Sequence, residues 1–362
     1  MRPYLHILQK PLLCLGLFAF SAGIAAPRQA LADDAQAASP AKQSFYDSIP
    51  NYIRKTDASF FTLTVENDLF GNGQDRNYTN GVRLTYFDYS KAPPEFSKTI
   101  ADFIPQFEVN DTTSVYYSFG QNLYTPNDIT AAVPDPQDRP YAAFLYGSAG
   151  LTTLSENHID DLEMTLGIVG PWALGEEVQD AVHHTINADN PSGWDSQLHN
   201  EPGVILSWQR RWPGYFSRDA GPFTTRLIPH AGLTAGNIYT YANAGATFQL
   251  TPARFKWQSL PPRVRPAIPG SGYFAVPTDT FAWSLFAGGE TRLIGRNIFL
   301  DGNSFRDSPS VDKRYAVADF NAGLSMNYGK TQISYTLNWR SREFRGQDDQ
   351  SLFGAISLGY RF

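Results

Sequence analysis

The chemistry-bearing residues of this chain gather in two short stretches. The first is Glu66-Asn67-Asp68-Leu69-Phe70-Gly71-Asn72-Gly73-Gln74-Asp75-Arg76-Asn77-Tyr78-Thr79-Asn80-Gly81. Its Asn72-Gly73 and Asn80-Gly81 pairs are turn formers that supply positive φ, so a plain hairpin loop accounts for much of it. The same stretch also brings Asn67, Asp68 and the Thr79 hydroxyl to one rim. Hard oxygen donors of mixed charge suit calcium, whereas zinc prefers nitrogen and sulfur. The second stretch is a helical pattern, Leu174 to Asn187. Leu174, Val178, Ala181, Val182 and Ile186 make an apolar stripe, and Glu176, Gln179 and His183 share the far side. Gln179 and His183 form an i,i+4 pair. On this pattern the apolar stripe docks and His183 stands away from the core, with His184 near the stripe's edge. A neutral imidazole beside an oxygen-ligand metal is equipment for metal-assisted hydrolysis. A helix that merely caps its surroundings would carry the same residues.

The elements that must position these residues are strands. From Leu352 to Phe362, Ile356, Leu358, Tyr360 and Phe362 alternate with Ala355, Ser357, Gly359 and Arg361, an apolar wall against a small, polar one. Ile333, Tyr335, Leu337 and Trp339 alternate in the same way with Gln332, Ser334, Thr336 and Asn338. A last strand ending in Phe is typical of bacterial outer-membrane barrels. Aromatics make up 14% of the chain, yet mean hydropathy is only -0.33. A barrel reconciles the two, because lipid-facing and lumen-facing residues cancel while aromatics form interface girdles. Arg2 and Lys10 precede an apolar run, Pro11 to Ala26, and Ala30-Leu31-Ala32 offers a cleavage site. Residues 1–32 therefore read as a secretory signal peptide and 33–57 as a flexible periplasmic lead-in. Cys14, the single cysteine, falls inside the signal, which excludes disulfides and thiolate chemistry from the mature chain. A net charge of -6 argues against a nucleic-acid partner.

The expected fold over 58–362 is all-β: a transmembrane antiparallel β-barrel of about twelve strands, with one short helix in an extracellular loop. The strands read as Ser59–Glu66, Thr79–Tyr89, Ser114–Gln121, Tyr141–Ser155, Asp160–Val169, Val204–Trp212, Thr224–Thr234, Ile238–Gln249, Phe281–Thr291, Tyr315–Tyr328, Thr331–Arg340 and Leu352–Phe362. With a periplasmic start, parity puts the Asn67/Asp68 loop and the His183 helix on the same outer rim. It also puts the long, Pro-rich Thr251–Thr278 connection in the periplasm, where connections are usually short. By alternation Glu66, Thr79 and Arg83 share the lumen face.

Several motifs in linked order give the chain a family likeness. They are Val65-Glu66-Asn67-Asp68, Asp75-Arg76-Asn77-Tyr78-Thr79-Asn80-Gly81, Gln121-Asn122-Leu123-Tyr124-Thr125-Pro126 and Asp138-Arg139-Pro140-Tyr141-Ala142. Gly167-Ile168-Val169-Gly170-Pro171, Glu177-Val178-Gln179 with His183, and Gly193-Trp194-Asp195-Ser196-Gln197-Leu198 follow. From about Ser59 to Phe362 the sequence resembles the outer-membrane lipid A 3'-O-deacylase family. The resemblance implies a twelve-stranded barrel that hydrolyses the 3'-linked acyloxyacyl group of lipopolysaccharide with calcium as cofactor. It implies that Asn67, Asp68 and Thr79 take active-site positions and that His183 is the catalytic base, with Gln179 and Asp189 at further polar positions. On this reading Asn67, Asp68, Thr79 and Asp189 are the metal-ligand set, and Gln179, Arg76 and Arg139 contact substrate. Residues 125–138 contain no Lys or Arg, so cations for the lipid phosphates fall to Arg76, Arg139, Arg306, Lys313, Arg314 or Arg345. Asp189 is one methylene shorter than the glutamate of relatives. Two other readings stay open: a non-enzymatic porin or structural barrel, and a lipase with a Ser-His-Asn triad on the barrel wall. There is no G-x-S-x-G elbow.

Overall fold

The computed structural model describes residues 59–71, 77–89, 107–186, 190–264 and 280–362, and besides these residues 49, 93–95, 99, 101 and 104. The expected signal peptide lies outside the described residues. Of the lead-in only Ile49 is described, and it is buried against Leu154, Ile159 and Trp257.

Every long alternating stretch is a strand. In chain order these are β1 (Ser59–Asn67), β2 (Asn77–Asp88), β3 (Ser114–Thr125), β4 (Ala142–Leu154), β5 (Ile159–Val169), β6 (Glu201–Arg211), β7 (Phe216–Ala220), β8 (Phe223–Gly236), β9 (Tyr239–Pro252), β10 (Phe281–Asn297), β11 (Ala316–Tyr328), β12 (Thr331–Arg340) and β13 (Ser351–Arg361). Two helices are described beside them, α1 (Gly175–Ile186) and the single-turn α2 (Ile298–Asp301). The strands form one antiparallel meander. β6 and β7 both pair with β8, at Arg211↔His230 and Phe216↔Leu227, and so make one interrupted strand. Pro213-Gly214 lies in the break, where a missing N–H and a flexible backbone interrupt a ladder most easily. The result is a closed barrel of twelve strands. β1 and β13 close it, with Phe362 N–H donating to Ser59 O at 3.0 Å. No helix among the described residues is long and apolar enough to cross a membrane.

Alternation sorts the two faces. Ile333, Tyr335, Leu337, Ile356, Leu358 and Tyr360 are exposed on the outside, whereas Ser334, Thr336, Asn338 and Ser357 are buried within. Most charges inside the lumen are paired, Arg83 to Glu163 at 2.6 Å and Asp319 to both Arg292 and Arg340 at 2.9 Å, while Arg226 is met by Gln249 Oε1 and the Trp257 ring. Burying a guanidinium is costly unless a carboxylate faces it, and for Arg83, Arg292 and Arg340 one does. At the loop-bearing end the lumen is filled by aromatics. Tyr124 and Phe299 of α2 lie 4.2 Å apart between ring centroids, with Tyr78, Phe144 and Phe353 around them.

Both ends of the barrel chain lie on one rim, and most long loops lie on the other, which is therefore the extracellular rim. The periplasmic rim nevertheless carries two long connections, where the sequence singled out one. The β9–β10 connection does start in the periplasm, but its residues up to 264 turn into the lumen. The Gln258 side-chain amide donates to Trp283 O at 2.9 Å, Thr64 Oγ1 reaches Pro262 O at 3.5 Å, and Val264 N–H donates to Glu66 Oε1 at 3.0 Å. Its length is thus explained by the lumen it fills. The β2–β3 connection folds against the outer wall instead, burying Ala101 and Phe107 on Val115, Leu151 and Leu162.

Candidate active site

The chain leaves β5 at Gly170, whose φ of 97° and contact with the backbone of His199 and Asn200 exclude any Cβ. It then turns through Pro171–Ala173 to Leu174, held at φ 56°, a left-handed conformation uncommon for a leucine. These turns lay α1 on the outside of the barrel, over β3, β4 and β5. Gly175 permits the close approach, since a Cβ there would meet Ala143 Cβ at 2.5 Å and the Trp194 ring at 2.6 Å. Gln121, an outward position on β3, pins the start of the helix by donating to Ala173 O at 2.6 Å. Leu123, Tyr141, Ala143, Ala173 and Trp194 form the buried cluster beneath, flanked by Leu145, Ile168 and Val178.

The orientation of α1 corrects the sequence reading. Gln179 and His183 are 2% and 3% exposed, while Leu174 and Val182 are 49% and 41% exposed. Gln179 and His183 dock together with Val178, while Leu174, Ala181 and Val182 of the apolar stripe face outward with Glu176. A helix in water hides its apolar stripe, but a helix on the outer wall of a membrane barrel meets lipid on its free side. The sequence pattern was right and the assumed solvent was wrong.

Within that buried face the polar groups are ordered. Trp194 Nε1–H donates to Gln179 Oε1 at 2.8 Å, which turns the Gln179 NH₂ toward His183. Gln179 Nε2 and His183 Nε2 lie 3.5 Å apart, a long contact. The amide thus turns an N–H toward the edge of the imidazole ring.

Across the adjacent strands lie the oxygen donors. Asn67 ends β1 and caps the short turn Asp68–Phe70, its Oδ1 accepting from Leu69 N–H at 2.7 Å. Asp68 is buried in that turn, and its carbonyl accepts from Gly71 N–H at 2.8 Å. Thr79 sits at a bulge where β2 shifts register against β3 between Tyr78 and Asn80. Its Oγ1 lies 2.6 Å from that of Thr125, an outward position of β3. Thr79 therefore leaves the lumen face that alternation gave it, whereas Glu66 and Arg83 keep theirs; the bulge inserts the extra residue that breaks the period of two. Because β1, β2, β3 and β4 are consecutive neighbours, Asn67, Thr79, Thr125, Gln121 and α1 occupy one sector of the extracellular rim. Among the described residues no three His, Cys, Asp or Glu side chains converge, so a metal here would draw on amide and hydroxyl oxygens as well.

The remaining predicted residues separate. Arg76 and Asp189 lie outside the described residues. Arg139 is fully buried, bonded to Glu343 at 2.8 Å and 5.2 Å from the Tyr124 ring, so it is tied into the loop-bearing end of the lumen. Burial alone would raise the Glu343 carboxyl, but Arg139 and then Arg340 outweigh it and hold it below the usual carboxylate value. Lys313 is taken by Asp301 at 2.6 Å, and Arg345 meets Asp312 at 3.3 Å; Arg306 and Arg314 are exposed on the outer loops. Sequence reasoning gave no role to Gln121, Thr125 or Trp194. The first two carried a usable signal, being polar residues at lipid-facing positions of a strand that otherwise presents Val115, Tyr117, Phe119 and Leu123.

A closed outer-membrane barrel with a polar site sealed under a helix on its outer wall is the class that fold and site define. The chain matches the family of outer membrane protein LpxR over residues 17–362, and it belongs to that family. It is similar in structure to LpxR from Salmonella typhimurium, at a TM-score of 0.68 and 21% identity, covering 83% of this chain and 99% of that one. The β domain of the Bordetella autotransporter Brka is less similar, at a TM-score of 0.38 and 8% identity over 84% of this chain and 99% of that one. No curated protein sequence matches the chain. Family and fold place the protein in the bacterial outer membrane.

Proposed function

We propose that the protein is a calcium-dependent esterase that releases the 3'-linked acyloxyacyl group of lipid A. The observation that carries this reading is the burial of Gln179 and His183 against the lipid-facing wall, where a polar helix face has no solvation to gain. Access to that face is along the seam between α1 and the outer wall, on the side an outer-leaflet lipid occupies and not from the lumen. His183 takes a proton from a water whose oxygen attacks the ester carbonyl carbon. The bond from that carbonyl carbon to the sugar's 3'-oxygen then breaks, and the proton returns from His183 to the leaving sugar alkoxide. Gln179, fixed by Trp194, orients the edge of the imidazole ring.

Asn67, Asp68 and Thr79 fit a hard cation. Asp68 is a buried carboxylate, Asn67 Oδ1 keeps one lone pair beyond its bond to Leu69, and Thr79 Oγ1 keeps acceptor capacity beside Thr125. Calcium bound there, with Asp189 as a further ligand, would supply positive charge to the ester carbonyl oxygen. The exposed Arg306 and Arg314 suit the phosphates of the head group.

Mass spectrometry of lipid A incubated with the purified protein tests the reading. The expected result is loss of one acyloxyacyl unit with calcium, and intact lipid A with chelator or with His183→Ala. Intact lipid A in every arm, from folded protein, would overturn it. The competing porin reading would then be tested by conductance, for which the filled lumen predicts closed behaviour.

A further inference from the structure

Below α1 the outer wall carries a trough. The outward positions of β4 are Leu145, Gly147, Ala149 and Leu151, so the middle of the strand carries almost no side chain. In register, Ala149 lies between Tyr117 of β3 and Met164 of β5, and Gly147 between Phe119 and Leu166. Small residues flanked by large ones on both sides make a trough one strand wide. Its volume is about 360 Å³, and it is lined almost wholly by carbon. A Cβ added at Gly147 would meet nothing nearer than Ser118 O at 3.9 Å, so the space above it is open. Elsewhere on the wall, β12 and β13 present Ile333, Tyr335, Leu337, Ile356, Leu358 and Tyr360, with no such gap.

The trough has two ends. At the top, Leu145 pairs with Gln121 and Ile168 and packs in the cluster beneath α1, so the trough begins below the start of that helix. At the bottom it runs into Pro94, beside the connection that covers Val115, Leu151 and Leu162. From Gly147 to Leu151 the strand rises about 13 Å. The wall lies in the outer membrane, and the trough is continuous with the barrel's lipid interface, so its occupant is drawn from hydrocarbon. A sterically thin, unbranched, apolar ligand is what such a slot admits.

We propose that this trough binds one acyl chain of an outer-leaflet lipid, its carbonyl end toward α1 and its methyl end stopped at Pro94. The seat selects chain length, because Pro94 fixes its depth. That the seated chain belongs to a substrate rests on the esterase reading; that the trough holds a chain does not.

The test uses the full chain reconstituted in bilayers of phosphatidylethanolamine doped with the same lipid nitroxide-labelled midway along one acyl chain. Electron paramagnetic resonance reports the motionally restricted fraction. Wild type is expected to show a restricted component that Gly147→Leu loses, and that Ala287→Leu, filling a small outward position on β10, retains. An equal component in wild type and Gly147→Leu would overturn the proposal, as would equal losses in both variants, the behaviour of annular lipid alone. Circular dichroism and heat-modified gel mobility establish that each variant is folded, and Gly147→Ala, which half-fills the slot, is expected to fall between. In a second arm, esters of graded chain length are offered to the enzyme, and Gly147→Leu is expected to shift preference to shorter chains. If wild type hydrolyses none of them, the esterase reading fails while the resonance arm still decides the seat.

Discussion

The lumen and the wall under α1 both bury polar side chains, and they do so in opposite ways. In the lumen, charge answers charge: Arg83 holds Glu163, Arg292 and Arg340 share Asp319, and Arg139 holds Glu343. Each of these charges is held by an opposite one, Arg226 is met by Gln249 Oε1, and residues up to Val264 occupy part of the space between them. Under α1 the groups are an amide, an indole N–H and an imidazole, with a carboxylate, an amide and hydroxyls on the neighbouring strands. Closed ion pairs give a rigid scaffold, whereas neutral donors and acceptors leave an imidazole able to take a proton. On the proposed function, this difference puts the chemistry on the outer wall and the scaffold within.

The contrast breaks most sharply at His183. His183→Ala is expected to lower turnover of lipid A by roughly 10²–10⁴-fold, the usual worth of a general base, while leaving unfolding in urea unchanged within error. A large loss of stability with little loss of turnover would move His183 to the structural side.

Glu343→Ala is the mirror experiment. It strands Arg139 in a buried site and is expected to destabilise the barrel by about 3–5 kcal/mol. Turnover per folded molecule should hold, as read by urea titration of reconstituted protein beside the lipid A assay.

Trp194→Phe sharpens the comparison within the wall. It keeps the ring contact with Tyr141 but removes the donor to Gln179 Oε1. Leaving that amide free to flip is expected to cost about tenfold in kcat, near 1.4 kcal/mol, with KM little changed. A change in KM alone would mean that Trp194 touches substrate instead.

The smallest effect concerns pH. The folded Glu343 carboxyl is held below its usual 4.5, so its stabilisation is present above that value and is lost as pH falls through the folded one. Urea midpoints of wild type and Glu343→Gln taken between about pH 6 and about pH 3 should therefore converge on the acid side. Curves that stay parallel would remove Glu343 from the linkage.

The barrel was legible because its code is short-range. Period-two stretches such as Ile333 to Trp339 fix strand and face together, and each expected strand appears, with the sixth broken at Pro213-Gly214. At the candidate site the orientation of the residues was not legible. Thr79 moved to the outer face because alternation cannot register a bulge. The α1 face was inverted because the amphipathic rule takes water as the outside solvent. Arg139 looked available because nothing local reveals that Glu343, far along the chain, will meet it. The entry of residues up to 264 into the lumen was hidden for the same reason: its bonds, Val264 to Glu66 and Pro262 to Thr64, are all long-range.

One measurement tests the division between wall and lumen most directly. Lipid A turnover is compared in one membrane preparation for Gln179→Leu/His183→Ala on the wall and Arg83→Met/Glu163→Met in the lumen. Replacing a whole buried ion pair by apolar side chains is often neutral or stabilising, so the lumen variant should fold and keep turnover within a factor of about two. The wall variant should fold equally well and lose turnover. A folded lumen variant that is inactive beside an active wall variant would contradict the account and return the chemistry to the inside of the barrel.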